Sequence, residues 1–124
     1  MALSFLLTAA LAATLTVQPG ETWLFRVAQG RPVEAQRVAA SAAPAPGQIK
    51  LTARRMMGTL ITLTNHSRVA YTYRATLIGA DGKTILAKSC VLPANNRLAM
   101  ESWPQVAVAV RVSDFRPTRD AYCR

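Results

Sequence analysis

The chain has few of the residues that catalytic and metal sites use. Its 124 residues include one histidine, two cysteines and six acidic residues. The histidine, His66, stands beside Ser67 in a polar stretch, and adjacent turn residues do not aim their side chains at each other as a base and a nucleophile must. The acids lie singly, which disfavours a catalytic carboxylate pair. We therefore expect a non-enzymatic protein without a metal or other cofactor. The alternative is a hydrolase whose site is assembled from distant residues.

The two cysteines are far apart in sequence, which disfavours a redox-active pair. Cys90 lies near the end of a predicted strand, 84–92, and Cys123 is the penultimate residue. In an oxidising compartment, the default expectation for two such cysteines is a disulfide. A Cys90–Cys123 disulfide would hold the tail 113–124, which lacks alternation and would otherwise fray.

The chain also lacks an apolar run of the ~20 residues that span a bilayer. Its first twenty residues carry no charged side chain, and Leu3 to Ala9 is followed by the small-x-small sequence Ala10 to Ala12. This pattern is typical of a secretory signal peptide, although the usual basic residue near the start is missing. We expect residues 1–12 to be a signal peptide and 13–124 to be a single domain without a transmembrane segment. The expected location is the periplasm or the cell exterior, and an ordinary apolar strand or helix at 1–12 is the alternative.

Helical periodicity is absent, and alternation of apolar and polar residues is common. The clearest case is 59–78, read as two strands joined by a turn at 65–68. The second strand has a predicted inner face of Val69, Tyr71, Tyr73 and Leu77. Turn signals every 8–12 residues predict an all-β chain, folded as a single immunoglobulin-like antiparallel β-sandwich of about 8–9 short strands. A small β-barrel is the alternative.

Three other segments carry specific expectations. Alternating valines from Val106 to Val112 predict the last strand, and Val33–Ala39, with its mixed polarity, predicts an edge strand. The Ala- and Pro-rich segment 40–47 predicts a flexible loop within the domain. Trp103 is interpreted as a cap on the core, with an exposed stacking platform as the alternative.

Negative charge is scarce, because fifteen Lys and Arg oppose six acids and give a net charge of +9. Such an excess favours anionic partners. Strand alternation places five basic residues opposite the apolar face of their strands, namely Arg26, Lys50, Arg54, Arg74 and Arg111. On neighbouring strands of one sheet these residues would form a basic face; divided between two sheets they would be ordinary solvated residues.

These features favour an exported binding or accessory module that contacts anionic envelope components through a basic sheet face. The alternative is a structural subunit that docks onto a larger envelope assembly by an edge strand, either 33–39 or the N-terminal strand. Nucleic acid is a weaker candidate partner, because export separates the protein from it and no exposed aromatic residue is evident for base stacking.

Overall fold

The computed structural model describes residues 14–119, which fold as two stacked antiparallel sheets. This part of the chain contains nine strands and no helix: β1 Thr14–Val17, β2 Thr22–Ala28, β3 Arg31–Val38, β4 Ile49–Arg55, β5 Thr59–Asn65, β6 Ala70–Ile78, β7 Thr84–Ala87, β8 Leu98–Trp103 and β9 Ala109–Thr118. One sheet has the order β1-β9-β6-β7 and the other β3-β2-β4-β5-β8. The sheets do not close into a barrel, so the predicted β-sandwich is confirmed.

The strand order is a variant of the immunoglobulin arrangement. β4, β5 and β8 occupy the positions of strands A, B and E, while β7, β6 and β9 occupy those of C′, C and F. β1 lies beside β9, where the immunoglobulin fold has its last strand, G. β2 and β3 extend the other sheet beyond the A position.

The core lies between the two inner faces and is centred on Phe115. This ring is 1% exposed, and its centroid lies 5.6 Å from that of Phe25 and 5.5 Å from that of Tyr73, against which it stacks. Alternate residues of the central strands, such as Leu51 and Leu63, belong to the same buried cluster. Burying a side chain of this size contributes about 1.5–3 kcal/mol, so these alternating positions account for most of the stability of the fold.

The two strands predicted at 59–78 exist, but the inference that they form a pair was wrong. β5 pairs with β4 and β8, whereas β6 pairs with β7 and β9 in the other sheet. The link at 66–69 therefore crosses between the sheets. Val69 belongs to this crossing and is 40% exposed, unlike Tyr73 and Leu77, which are buried as predicted.

Buried Asn65 stabilises the crossing. Its Nδ2 donates to the carbonyl oxygen of Val69 at 2.7 Å, and its Oδ1 accepts from Ser67 Oγ at 2.7 Å. A buried amide needs such partners, because an unsatisfied one costs about 1–3 kcal/mol. These two bonds fix the path of the chain where it leaves β5.

The last strand begins later and runs further than predicted. Val106 and Val108 are exposed and precede β9, while β9 continues to Thr118. A bulge explains the missing alternation: Asp114 has φ of 55°, and three steps on β9 oppose two on β6. The extra residue reverses the phase of the strand, so that Phe115 points into the core. Residues 113–118 are therefore part of β9, although their sequence lacks regular alternation.

β3 is an edge strand, as predicted, and the segment after it returns across the sheet. β3 ends beside the start of β2, whereas β4 begins beside Phe25, so residues 39–48 cross the outer face of both strands. Leu24 lies on this outer face with Lys50, yet it is only 7% exposed. The loop therefore covers part of the sheet.

Two predictions fall wholly or partly outside the described residues. The signal peptide expected at 1–12 lies outside them, as does Cys123.

The strand expected at 84–92 is shorter, because β7 ends at Ala87 and only Leu92 pairs again with β6, through Tyr71. Among residues 14–119 no helix is long and apolar enough to cross a membrane.

Candidate functional site

The five basic residues singled out in the sequence do not share one face. Arg26, Lys50 and Arg54 lie on adjacent strands of the five-stranded sheet, whereas Arg74 and Arg111 lie on adjacent strands of the four-stranded sheet. The outer faces of a sandwich point in opposite directions. A single basic sheet face made by all five residues is therefore not present.

Arg26 and Lys50 hold the loop that covers the five-stranded sheet. Arg26 Nη1 donates to the carbonyl oxygen of Pro46 at 2.9 Å, and Lys50 Nζ donates to that of Ala40 at 2.6 Å. Arg26 also lies 3.7 Å from the carboxylate of Glu34. Since their donors face groups of the protein itself, these two residues have a structural role.

Arg74 and Arg111 form a smaller basic area on the four-stranded sheet. Arg74 is exposed and Arg111 half-buried, and neither has a polar partner among residues 14–119. Arg116 lies further along the outward side of β9, beyond Ser113, and pairs with Asp114 at 3.2 Å. The exposed area is thus basic but contains an acid, and it lacks exposed aromatic residues.

Arg54 lies near the end of β4, at one end of the sandwich, just before the hairpin that leads into β5. Arg55, Met56, Met57 and Gly58 complete the hairpin tip, in which Met57 is 97% exposed and Met56 is 54% exposed. Gly58 has φ of 118°, and a Cβ atom at this position would collide with the carbonyl oxygen of Trp103. The close approach of the β8–β9 link fixes the tip in place and requires a glycine there.

The link between β8 and β9 brings two more apolar residues to this end. Buried Thr59, just after the tip, donates from Oγ1 to the carbonyl oxygen of Gln105 at 2.7 Å and accepts from the N–H of Ala107 at 2.9 Å. Val106 and Val108 flank Ala107 and are 60% and 40% exposed. We call the resulting surface the Met–Arg end, defined as Arg54, Arg55, Met56, Met57, Val106 and Val108.

Both arginines of the Met–Arg end line one open depression. Its volume is about 620 Å³, and Val108 and residues 18–20 complete the wall. Neither Arg54 nor Arg55 has a hydrogen-bond or ion-pair partner among residues 14–119. In this part of the chain the two guanidinium groups therefore lie next to exposed apolar side chains.

Glu21 is the acid next to this depression, but its charge is already compensated. Its Oε1 accepts from the N–H of Gln18 and from Trp23 Nε1, both at 3.0 Å, and its Oε2 lies 3.4 Å from Arg37 Nη1. The Gln18 N–H, the Trp23 indole and Arg37 hold the pKa of Glu21 below its usual value, against a smaller opposing effect of burial. Glu21 is therefore not the counter-ion of Arg54 or Arg55.

The arrangement around His66 does not resemble a hydrolase site. His66 Nδ1 lies 2.9 Å from Asn96 Oδ1, whereas Ser67 Oγ donates to Asn65 Oδ1. The two residues thus bind different partners and not each other. In the described part of the chain, no cluster of three or more His, Cys, Asp or Glu residues could hold a metal ion.

Glu101, on β8, is a buried acid beside Cys90. Its Oε2 accepts from the Cys90 N–H at 2.6 Å. Burial raises the pKa of Glu101, and this hydrogen bond opposes the shift. Because Cys123 is outside the described residues, the Cys90–Cys123 disulfide stays a prediction.

Trp103 is half-buried against the core, and its Nε1 donates to the carbonyl oxygen of Lys88 at 2.9 Å, so it acts as the expected cap.

Outward charge on strands pointed to Arg54 in the sequence but not to the rest of the Met–Arg end. The available signal was the sequence Arg54-Arg55-Met56-Met57-Gly58, in which apolar residues occupy a turn instead of a strand. No known protein family, curated protein or solved structure matches this chain. The residues of the chain itself are therefore the evidence for its function.

Proposed function

We propose that this protein is a non-enzymatic module that binds an anionic phospholipid surface through the Met–Arg end. The observation that carries the proposal is the almost complete exposure of Met57 beside two arginines that have no partner among residues 14–119. Apolar side chains enter the boundary between head groups and acyl chains, while guanidinium groups bind lipid phosphates bidentately. With the export expected from the sequence, the surface would be an envelope membrane facing the periplasm or the cell exterior.

The expected strength of binding follows from the groups at this end. A basic residue near an anionic membrane contributes about 1 kcal/mol, and a fully buried Met side chain about 1.5–3 kcal/mol. Two arginines and two partly inserted methionines then give roughly 5 kcal/mol, which corresponds to a Kd on the order of 0.1 mM. Such binding is reversible, and the net charge of +9 adds attraction that weakens with salt.

Sedimentation with vesicles tests the proposal. The full chain should bind vesicles of phosphatidylglycerol and phosphatidylcholine much more strongly than vesicles of phosphatidylcholine alone. The double variant Arg54→Gln/Arg55→Gln should lose about 30-fold in affinity, because about 2 kcal/mol of electrostatic attraction disappears. Met57→Ser should lose about tenfold, because an apolar side chain no longer enters the membrane.

The matched control is Arg74→Gln/Arg111→Gln, which removes the same charge from the four-stranded sheet. This variant should retain most of its affinity. Equal losses in the two double variants would show that net charge alone drives binding and would refute the proposed site. An unchanged affinity of Met57→Ser would contradict insertion of the hairpin tip.

A second candidate function, docking by an edge strand, is supported by β8. The edge strand β3 carries Pro32, a bulge at Glu34 and the charged Arg37, which all discourage pairing with another strand. Within residues 14–119, β8 pairs only with β5, and it presents Leu98 and Met100, which are 62% and 58% exposed. The sequence had pointed to β3 or the N-terminal strand instead.

The basic residues that flank β8 indicate what kind of strand it would accept. Arg97 precedes β8, and Lys88 lies against its last residue, Trp103. A second copy would place like charges together, so the occupant we propose is an acidic extended segment with apolar residues at alternate positions. Met100→Lys should abolish capture of such a peptide at high salt, whereas Arg54→Gln/Arg55→Gln should not. Capture that survives Met100→Lys would refute this role of β8.

A further inference from the structure

A second candidate site, which is concave, lies at the end of the sandwich opposite the Met–Arg end. β5 begins next to the hairpin tip at Thr59 and ends at Asn65. The residues that follow Asn65 line a cavity of about 520 Å³. Three separate segments line this cavity, namely 46–47, 66–68 and 95–96. Its volume lies within the range of small-molecule sites, about 300–1,000 Å³.

Backbone hydrogen bonds hold the three segments together. The N–H of Gly47 donates to the carbonyl oxygen of His66 at 2.6 Å, and the N–H of His66 donates to that of Gln48 at 2.8 Å. On the other side, the N–H of Asn95 donates to the carbonyl oxygen of Ser67 at 2.8 Å. The walls are therefore fixed before any ligand enters, which lowers the entropic cost of binding.

The turn at 95–96 adopts a conformation that few residues accept. Asn95 and Asn96 have φ of 63° and 68°, in the left-handed region. Asn96 Oδ1 accepts from His66 Nδ1, which fixes the imidazole ring against the cavity. Because the bond uses only the Oδ1 of Asn96, its Nδ2 remains available as a donor.

The lining offers donors and no carboxylate. Arg68 and Asn95 are exposed at the cavity, and neither side chain has a polar partner among the described residues. Pro46 and the His66 ring supply apolar wall. A cavity with a guanidinium group, amide donors and an apolar side favours an anion attached to an apolar body.

We propose that this cavity binds a small organic anion, with its carboxylate or phosphate group on Arg68 and Asn95 and its apolar body against Pro46 and His66. The inference is independent of membrane binding, because no residue of the Met–Arg end lines the cavity. Loss of one activity should therefore leave the other unchanged.

Titrations of the full chain followed by ¹H–¹⁵N NMR test this site. Benzoate and phenyl phosphate are the anionic probes, and the better one identifies the preferred acid group. Benzyl alcohol and inorganic phosphate test the apolar body and the anion alone. We expect saturable shifts in 46–47, 66–68 and 95–96 with at least one anionic probe, and at least about tenfold weaker binding of the two controls.

Two variants test the assigned donors. Arg68→Gln should weaken binding of the better probe about tenfold or more. Asn95→Gly removes the amide but retains the positive φ, and it should weaken binding by a smaller factor. Arg97→Gln is the matched control, since Arg97 is close in sequence but does not line the cavity.

Several outcomes would overturn the proposal. The first is the absence of saturable shifts with both anionic probes. The second is binding of benzyl alcohol or inorganic phosphate as strong as that of the better anionic probe. The third is equal weakening by Arg68→Gln and Arg97→Gln. Each shows that the cavity does not select an organic anion through Arg68.

Discussion

The two ends of β5 show how the type of link between strands determines the surface it creates. At Thr59 the strand follows a hairpin that joins neighbours in one sheet, and the tip projects with Met57 almost fully exposed. At Asn65 the chain crosses to the other sheet, and segments from two other loops are hydrogen-bonded to the crossing. A projecting tip is suited to contact with a flat surface, whereas a braced crossing leaves a cavity. The same strand thus connects a convex candidate site with a concave one.

The largest expected effect comes from breaking the hairpin end. Gly58→Ala should destabilise the protein by about 3 kcal/mol or more, because a Cβ atom meets the Trp103 carbonyl oxygen and the positive φ disfavours a side chain. Urea unfolding measures this loss. Gly82→Ala is the matched control: its φ is also positive, at 83°, but nothing lies within 4 Å of the added atom. Its cost should be about 1 kcal/mol, and equal costs would show that the contact with Trp103 is unimportant.

The next largest effect comes from breaking the crossing. Asn65→Ala removes the donor to Val69 and the acceptor of Ser67 in a fully buried position, so it should cost about 2–3 kcal/mol in urea unfolding. Thr64→Ala, one residue earlier and facing outward, should cost less than about 1 kcal/mol. The Asn65 variant should also weaken anion binding in the cavity while leaving vesicle binding intact. Weakening of both activities would mean that the two ends are coupled.

The sequence predicted the strands well because alternation is a local property. The inward residues of β4 and β5 follow directly from a period of two. Which strands pair is not local, so the link at 65–68 was mistaken for a hairpin. Phe115 was not predicted as a core residue for a related reason. The bulge at Asp114 adds one residue to β9, which reverses the alternation of inward and outward side chains after it.

The candidate sites were less predictable than the fold. The five outward basic residues do face outward, but the loop that occupies Arg26 and Lys50 comes from 40–46, and its path depends on tertiary structure. The cavity joins three segments that are distant in sequence. Only the hairpin tip is contiguous in sequence. Its two methionines in a turn segment were the signal for the Met–Arg end that the sequence alone offered.

The smallest expected effect concerns the carboxylate beside the Met–Arg end. The folded protein lowers the pKa of Glu21, so Glu21 contributes stability above its unfolded pKa and loses it as pH falls through its folded pKa. Glu21→Gln should therefore reduce stability at neutral pH by about 1 kcal/mol or less, and the difference from the parent should vanish in acid. Since no carboxylate lines the cavity, this substitution should not change anion binding there.

Glu101 supplies a control of opposite sign. Burial raises its pKa, so the folded state favours the protonated form, and its contribution is lost as pH rises through the folded pKa. Glu101→Gln retains an acceptor for the Cys90 N–H but removes the buried charge. It should therefore raise stability at neutral pH, with the gain disappearing in acid. Thermal unfolding between acid and neutral pH measures the stability of both variants relative to the parent. If this stability difference changes with pH in the same direction for Glu21→Gln and Glu101→Gln, Glu21 is not the compensated acid beside the Met–Arg end.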